Sequence, residues 1–388
     1  MPDTPDTPAR PPTFFALCCA EPFRIFFPLG VLVGISGVSL WPLFFGGWHH
    51  SFYPAVMHAR LMIEGFMGAF VFGFLGTALP RLTGTATLSA RELRLLLALY
   101  AAMVATHIAE QPVAGDALFL VLLAALGKML AGRFAQRTEQ PPAGLVLVAF
   151  GFADAFAGAL LAILGARLAR PDFTLAGANL LHQGWLLLHI LGLGGFLLAR
   201  MLGLPPAASS MLRAGVVGAV ITATLAAEPF VPWPLALAVV RLVAAVAWLL
   251  ANVPFHRASV PNVTLTLALR IALVLLVAGL AFPLCWPLQR MAGLHVIFLG
   301  GFSLMAFTVG TRVVLGHSGF SHLFEKRLWF LLATIFLILS AIGLRTAGEF
   351  LPLKRLAMLN GASHAWMTAA VLWAVCVLPK VRRADPEK

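Results

Sequence analysis

The chain has 388 residues, of which 60% are hydrophobic and only 11% are charged, and its formal net charge is +12 at pH 7. An average soluble domain is about 25% charged, so this composition excludes an ordinary soluble protein and indicates an integral membrane protein. Most Lys and Arg lie in short loops beside apolar runs. Basic residues at such positions contact lipid headgroups, so the charge predicts a membrane-lipid partner and no nucleic acid.

Residues 1–24 are rich in proline and lack the basic start and the cleavage site of a signal peptide, so they predict a cytoplasmic tail. Apolar runs of about 20 to 28 residues follow, and this is the length that a membrane-spanning helix requires. We expect an all-α, polytopic membrane bundle of about twelve transmembrane helices in residues 25–378, and a second cytoplasmic tail in residues 379–388. The predicted spans are residues 25–45, 53–80, 92–111, 113–134, 143–168, 174–203, 211–230, 232–254, 264–288, 290–316, 328–351 and 355–378.

Lys and Arg flank the spans far more often on one side of the predicted bundle, and that side holds both termini. The positive-inside rule therefore predicts a multi-pass protein with both termini in the cytoplasm.

A short motif recurs along the chain. The pattern H-x3-L-G-G-F starts at His189 and again at His295, and His58 precedes a Gly-Phe pair in the second span. The three spans that carry these histidines are four apart, which is compatible with three four-helix units.

Six histidines occur inside five of the predicted spans. A rise of about 1.5 Å per residue puts all of them in the outer half or near the midplane of the bilayer. Each one alone is equally well explained as a hydrogen-bonded packing residue, but the set favours a metal or haem site, because neutral imidazole is the commonest ligand of haem iron and copper. The candidate cofactor-binding residues are His58, His107, His182, His189, His295 and His364, and the candidate metal ligands among them are His58, His189, His295 and His364.

His182 and His189 lie one heptad apart, about 10 Å along a helix, so they cannot bind the same ion. Two centres at different depths are the natural inference, and one centre supported by a further histidine is the alternative. The chain has no CxxCH motif, so we expect a non-covalent, b-type haem, one or two per chain, with copper as a further candidate. His49 and His50, in a predicted outer loop, are better explained as solvated residues than as a copper entry site.

Three polar residues inside the spans are candidates for catalysis. Arg60 and Glu64 lie one helical turn apart and can pair, either as a structural ion pair or with Arg60 holding a haem propionate and Glu64 relaying protons. Asp154 either extends a proton path or makes a hydrogen bond between helices. The chain has no Walker loop, no GxSxG and no HExxH motif, so nucleotide hydrolysis and serine or zinc hydrolysis lack their residues.

Two stretches resemble the NnrS family, whose members are membrane proteins of about twelve helices associated with haem, copper and the bacterial response to nitric oxide. Residues 295–319 begin with a histidine, contain T-R-V and end in L-G-H-S-G, similar to the family's T-R-V and L-G-H-T-G. Residues 58–84 are similar to the family's H-A-H-E-M opening and its T-A-x-P-x-x-T-G exit. Where the family has H-A-H-E, this chain has H-A-R-L, so a histidine and a glutamate are missing and Glu64 comes one turn later.

The resemblance implies functional roles for His58, His295, Arg312 and His317, although a structural role in capping the turn at residues 316–319 also explains His317. The ligand missing at position 60 puts copper in more doubt than haem. The resemblance also implies a protein of the bacterial cytoplasmic membrane that binds nitric oxide, or reduces it to nitrous oxide with electrons from quinol, and so relieves nitrosative stress. An enzyme of this kind would be an oxidoreductase of the nitric oxide reductase type.

Two other functions stay open at this point. Twelve helices with repeat-like organisation and intramembrane polar residues also describe a secondary transporter, for instance of a metal or a metal complex. A quinol–cytochrome electron conduit is disfavoured, because no span carries two histidines at the spacing of about 13 residues that such cytochromes often have.

Overall fold

The structure is a computed structural model that describes residues 13–48, 53–205, 209–253, 255 and 263–384. The described residues form thirteen helices and no strand, which confirms the predicted all-α bundle. His49, His50 and the outermost parts of both predicted tails lie outside the described residues. The helices are α1 (Phe14–Ala20), α2 (Phe23–Phe45), α3 (Pro54–Thr83), α4 (Ala90–Ile108), α5 (Pro112–Ala135), α6 (Leu145–Leu168), α7 (Pro171–Met201), α8 (Met211–Phe230), α9 (Pro234–Asn252), α10 (Thr264–Cys285), α11 (Pro287–His317), α12 (Trp329–Phe350) and α13 (Pro352–Arg382).

Eleven of these helices, all except α1 and α4, are long and apolar enough to cross a membrane. The polytopic prediction is therefore confirmed. Helix α4 corresponds to the third predicted span, but Arg91, Glu92 and Arg94 at its start make it less apolar than the others. Helix α1 lies within the predicted amino-terminal tail, and α13 continues to Arg382, inside the predicted carboxy-terminal tail.

The local sequence explains where several helices begin and end. Six of them start on a proline, which has no N–H to leave unpaired in the first turn and whose fixed φ suits a helix. Helix α4 starts with a capping box, in which Ser89 and Glu92 each bond to the other's backbone N–H. Helix α3 ends at Gly84, whose φ of 64° lies in the left-handed region that glycine adopts without strain.

Helices α3, α7 and α11 contain π-helical turns. These turns are Leu61–Met67 in α3, Asn179–Gly184 and Gly194–Leu198 in α7, and Val296–Ser303 in α11. No other helix in the described ranges contains one. A π turn takes in an extra residue, and such turns are frequent at functional sites. They occur here in the three helices for which the sequence suggests a repeat.

The glycines of the recurring L-G-G-F motif bring neighbouring helices close in both copies. A Cβ added to Gly300 would lie 2.6 Å from the Cβ of Leu275 in α10, and one added to Gly194 would lie 3.1 Å from Cγ2 of Val253, just beyond α9. Small residues of this kind allow close approach between membrane helices. The motif is therefore explained by helix packing, and the three four-helix units stay a prediction.

Helices α3, α7 and α11 meet at the centre of the bundle. The ring of Trp185 in α7 lies 6.2 Å from that of Phe72 in α3, and the ring of Phe307 in α11 lies 5.9 Å from that of Phe66 in α3. The three helices together line an apolar cavity of about 110 Å³. The helices that carry most of the predicted histidines thus surround a common space.

Candidate functional site

Three of the predicted histidines come together from α3, α7 and α11. His58 lies just before the π turn of α3, His182 lies within the first π turn of α7, and His295 lies just before the π turn of α11. His182 and His295 are both close enough to His58 to interact with it electrostatically. All three side chains are half-buried. We call His58, His182 and His295 the histidine group.

Four histidines have a backbone carbonyl oxygen within hydrogen-bond distance of Nδ1. The Nδ1–O distances are 3.0 Å from His58 to Gly37, 2.7 Å from His189 to Trp185, 2.7 Å from His295 to Met291 and 2.9 Å from His364 to Asn360. A carbonyl can only accept, so Nδ1 donates and the neutral ring presents the lone pair of Nε2. Metal-bound histidines are held in the same way. These four residues are the ones that the sequence predicts as metal ligands.

Two arginines lie beside the histidine group. Arg60 is within electrostatic range of His182, and Arg345 of α12 is within range of both His58 and His295. Arg345 also donates a hydrogen bond of 2.6 Å to a carboxylate oxygen one turn along α12. Guanidinium groups next to neutral imidazoles suit a ligand that carries both a metal and carboxylates.

His189 and His364 lie apart from the histidine group. His189 lies on the wall of the apolar cavity of about 110 Å³, and its buried Nε2 has no hydrogen-bond partner among the described residues. His364 is exposed on α13, and its Nδ1 contacts the carbonyl of Asn360 one turn earlier in the same helix. The structure therefore separates His189 from His182, as their spacing along the helix predicts.

Arg60 pairs with Asp116 of α5 and not with Glu64. Its Nε and Nη2 donate to the two carboxylate oxygens of Asp116 at 3.1 and 3.0 Å. Glu64 instead lies 2.9 Å from Nε2 of His107 in α4, and both of these side chains are fully buried. Glu64 belongs to the π turn of α3, where residues four apart no longer lie over one another, so each charge finds its partner on a neighbouring helix.

The imidazole of His107 rests on the backbone of Gly115. A Cβ on Gly115 would lie 2.2 Å from Cε1 of that ring, so only glycine leaves room for the histidine beside Glu64. Donor atoms of Glu64, His107 and Asp116 lie within 4.8 Å of one another, and Oε1 of Glu64 and Nδ1 of His107 have no partner among the described residues. These three side chains could hold a divalent ion. Both carboxylate oxygens of Asp116 already accept hydrogen bonds from Arg60, however, so the arrangement suits proton transfer better than metal binding.

Asp154 contacts the turn that carries His182. Its Oδ1 accepts a hydrogen bond of 2.8 Å from Thr222 of α8. Its Oδ2 is buried without a described partner and would lie 2.1 Å from a Cβ on Gly184, in the π turn of α7. Asp154 thus makes a hydrogen bond between helices, which is one of its two predicted roles. Its second oxygen is available for the other predicted role, a proton path.

The two remaining motif residues lie at the opposite end of α11, about 30 Å from His295 along the helix. The guanidinium of Arg312 lies 3.4 Å from the ring centroid of Phe324. Nδ1 of His317 lies 2.7 Å from Oε1 of Glu21, which also accepts a hydrogen bond of 2.5 Å from Arg81. These residues therefore do not contribute to the histidine group.

Arg24 connects this end of α11 to both ends of the chain. Its guanidinium is buried and donates to Oε2 of Glu21 and to the carbonyl oxygens of His317, Val381 and Arg383. Burial raises the pKa of Glu21, but the hydrogen bonds and charges of His317 and Arg24 outweigh burial and lower it to about 2. We call Glu21, Arg24, Arg81 and His317 the terminal junction.

Sequence reasoning missed several residues of both sites. Asp116 could have been found from the sequence, because it is the only carboxylate in the predicted span of residues 113–134 and intramembrane carboxylates are usually functional. Arg345 lies in a predicted span but near its end, where basic residues usually contact headgroups. Glu21 and Arg24 gave no signal, since they lie in the predicted tail and several of their partners are hundreds of positions away.

A comparison with curated proteins finds no match for this chain. A comparison with known protein families matches residues 18–384 to the NnrS family, described as NnrS protein. The matched range contains the histidine group, all the π turns and the terminal junction. Because the match covers nearly the whole chain, the protein belongs to the NnrS family.

Proposed function

We propose that this protein holds a non-covalent, b-type haem at the histidine group and uses it to bind nitric oxide or to reduce it to nitrous oxide. Membership of the NnrS family fits a membrane protein of the nitric oxide response. The observation that carries the proposal is the convergence of His58, His182 and His295 from the three helices that contain π turns. We place the protein in the bacterial cytoplasmic membrane with both termini in the cytoplasm.

The donor atoms fit this cofactor. His58 and His295 each donate Nδ1–H to a carbonyl and keep Nε2 free, so each could ligate haem iron. Arg345, and the Nη1 group of Arg60 that its pair with Asp116 leaves over, would donate to the haem carboxylates, because hydrogen bonds between a guanidinium and a carboxylate are strong. The haem iron would supply the place where nitric oxide binds and the route by which electrons reach it.

A second metal would fit at His189. Its free Nε2 lies at the wall of the apolar cavity, which Met67 and Met305 also line. Imidazole and thioether ligands suit copper(I), so we propose copper at this deeper position, and His364 as a further candidate ligand. The same cavity, about 110 Å³ in volume, has room for nitric oxide, which is small, weakly polar and soluble in lipid.

Reduction of two nitric oxide molecules to nitrous oxide and water takes up two electrons and two protons. Glu64 and His107 would pass the protons, because the carboxylate of Glu64 and the imidazole of His107 form a buried pair. One polar atom of each side chain has no partner and is left for a further proton transfer. The Arg60–Asp116 ion pair lies beside this path, and Asp154 would extend the path toward His182. Quinol in the membrane would supply the electrons.

Optical spectra of the purified protein test the cofactor. The protein is prepared in detergent from cells grown with ample haem, and spectra are recorded after air oxidation, after reduction with dithionite and after anaerobic addition of nitric oxide. We expect sharp haem bands on reduction and a shift of these bands with nitric oxide. His58→Ala and His295→Ala should each lower the haem content at least about tenfold, because each removes a ligand.

His322→Ala is the matched control, since His322 is exposed in a turn far from the histidine group. Gel filtration shows whether each variant is folded. A colourless wild-type protein that reversibly binds a metal complex would contradict the proposal and favour the transporter. Unchanged haem spectra in both ligand variants would exclude the histidine group as the haem site. Copper analysis of the wild type and of His189→Ala tests the second metal.

A further inference from the structure

A second cavity, of about 470 Å³, lies among α7, α8, α9, α10 and α11. Four polar side chains line it: Gln183, Glu228, Arg241 and Arg290. The rest of its wall is mainly apolar and includes Trp233. We call this space the arginine cavity. Its size and its few converging polar groups on an apolar wall are typical of a small-molecule site.

The arginine cavity adjoins the turns that carry the histidine group. Gln183 follows His182 in the first π turn of α7, and Leu294, which also lines the cavity, precedes His295 in α11. A molecule in this cavity would therefore lie close to any cofactor that His182 and His295 hold. None of the four polar side chains is used by the function proposed above.

The charges in the cavity leave one hydrogen-bond donor and one acceptor unused. Arg241 is 6% exposed, and its Nη2 lies 3.0 Å from Oε2 of Glu228, but its buried Nη1 has no partner. Oε2 of Glu228 has this contact with Arg241 alone, so it can accept a further hydrogen bond. Nη2 of Arg290 makes two contacts, one of 3.1 Å with Oε1 of Glu228 and one of 2.6 Å with Oδ1 of Asn179. Buried polar atoms without partners are costly, so a ligand that satisfies both is favoured.

A hydroxyl group is the ligand group that fits this pair. It can accept from Nη1 of Arg241 and donate to Oε2 of Glu228, whereas a carboxylate or the phosphodiester of a lipid can only accept at neutral pH and would be repelled by Glu228. The apolar wall favours a flat, apolar body attached to that hydroxyl. We propose that the arginine cavity binds the head of a quinol, which is the electron donor of the proposed function; the inference rests on that function.

The chemistry of such a donor balances with the proposed reaction. A quinol that becomes a quinone releases two electrons and two protons, and two nitric oxide molecules take up the same numbers to give nitrous oxide and water. Glu228 is placed to receive a proton from the hydroxyl that it contacts. Arg241 holds the oxygen that remains, since a guanidinium hydrogen-bonds equally to a quinol hydroxyl and to a quinone carbonyl.

Direct binding of decylubiquinol tests the site. The full-length protein is placed in phosphatidylcholine nanodiscs under anaerobic conditions, and quenching of tryptophan fluorescence is measured against nanodiscs without protein, which corrects for partitioning into lipid. We expect saturable binding. Arg241→Gln and Glu228→Gln should each raise the Kd about tenfold or more, because each replaces a charged hydrogen-bonding group. Ala236→Trp should also weaken binding, because it fills the cavity where Ala236 lines it and leaves both charges in place.

Arg170→Gln is the matched control, since Arg170 forms an exposed pair with Asp172 and does not line the cavity. Equal affinity in wild type, Arg241→Gln, Glu228→Gln and Ala236→Trp would overturn the inference. Displacement of bound quinol by phosphatidylglycerol would also overturn it, because it would identify the site as one for an anionic lipid. Binding is measured without reference to haem, so a colourless protein that binds quinol refutes only the haem proposal, and a haem protein that binds no quinol refutes only this inference.

Discussion

Arg60 and Glu64 illustrate how one turn of a helix decides which charges pair. Their spacing of four residues predicts an ion pair on an α-helix, and Glu64 instead lies in a π turn. No residue type is diagnostic of a π turn. The sequence therefore could not predict that Arg60 would pair with Asp116 and Glu64 with His107. The sequence does show that ionisable residues lie inside these spans. Such residues are rare in apolar spans unless they have a functional role, so the sequence alone marks them as candidate site residues.

The Arg60–Asp116 pair gives a prediction about stability. Asp116→Asn should lower the free energy of unfolding by about 3–5 kcal/mol, because it leaves a largely buried guanidinium without its carboxylate. The double substitution Arg60→Leu with Asp116→Leu should recover most of that loss, since no charge is then left unpaired. Denaturation in mixed detergent and SDS measures both. A double variant as unstable as Asp116→Asn would show that the pair is not what stabilises this region.

Glu21 gives a prediction about pH. Its pKa is about 2 in the folded protein against an ordinary value of 4.5, so its contribution to stability is complete above pH 4.5 and is lost as the pH falls toward 2. The difference corresponds to about 3 kcal/mol. Glu21→Gln should therefore melt at a lower temperature than wild type at pH 7, and the gap should narrow by about half at pH 3 as the two converge toward pH 2.

Thermal unfolding in detergent at pH 7, 5 and 3 measures this convergence. Glu325→Gln is the control, because Glu325 is exposed in a loop. A constant gap between wild type and Glu21→Gln at all three pH values would contradict the assigned role of the carboxylate.

At the scale of the elements, the sequence predicts where the helices lie but not which of them contain π turns. Length and continuous apolarity predict membrane spans, and prolines mark the start of α3, α7 and α11. The histidines at residues 182 and 189 share one helix face by their heptad spacing, but only His182 joins His58 and His295. The H-x3-L-G-G-F motif makes His189 the sequence equivalent of His295. In the structure, however, the histidine of α7 that lies near His295 is His182.

Helix α5 allows a comparison of two glycines in one element. Gly115→Ala should lower the free energy of unfolding by about 1–3 kcal/mol, because the new Cβ would collide with the ring of His107. Gly127→Ala, in the same helix, meets no atom within 4 Å and should be neutral or stabilising by up to about 1 kcal/mol. Thermal unfolding of the two variants side by side measures the difference. Equal effects would mean that His107 does not rest on Gly115.

At the scale of the whole molecule, composition and spacing predicted a polytopic bundle with ionisable groups at its centre, and the family match covers residues 18–384 of it. What they could not predict is how the ends of the chain meet. The contacts of Arg24 with Val381 and Arg383 join residues 357 and 359 positions apart. No local pattern encodes such a contact, because it depends on the path of every helix in between.

The terminal junction predicts that the carboxy terminus stabilises the entire bundle. Deleting residues 381–388 removes two carbonyl acceptors from the buried guanidinium of Arg24. Hydrogen bonds to a charged group contribute about 1.5–3 kcal/mol each, so the free energy of unfolding should fall by about 3–6 kcal/mol. Deleting only residues 385–388 keeps both carbonyls and is the matched control. Thermal unfolding and haem content of the two truncated proteins separate a loss of stability from a loss of the site, because the junction lies about 30 Å from His295 along α11. Equal melting temperatures for the two deletions would mean that Arg24 finds other acceptors and that the bundle does not depend on joining α2 to the end of α13.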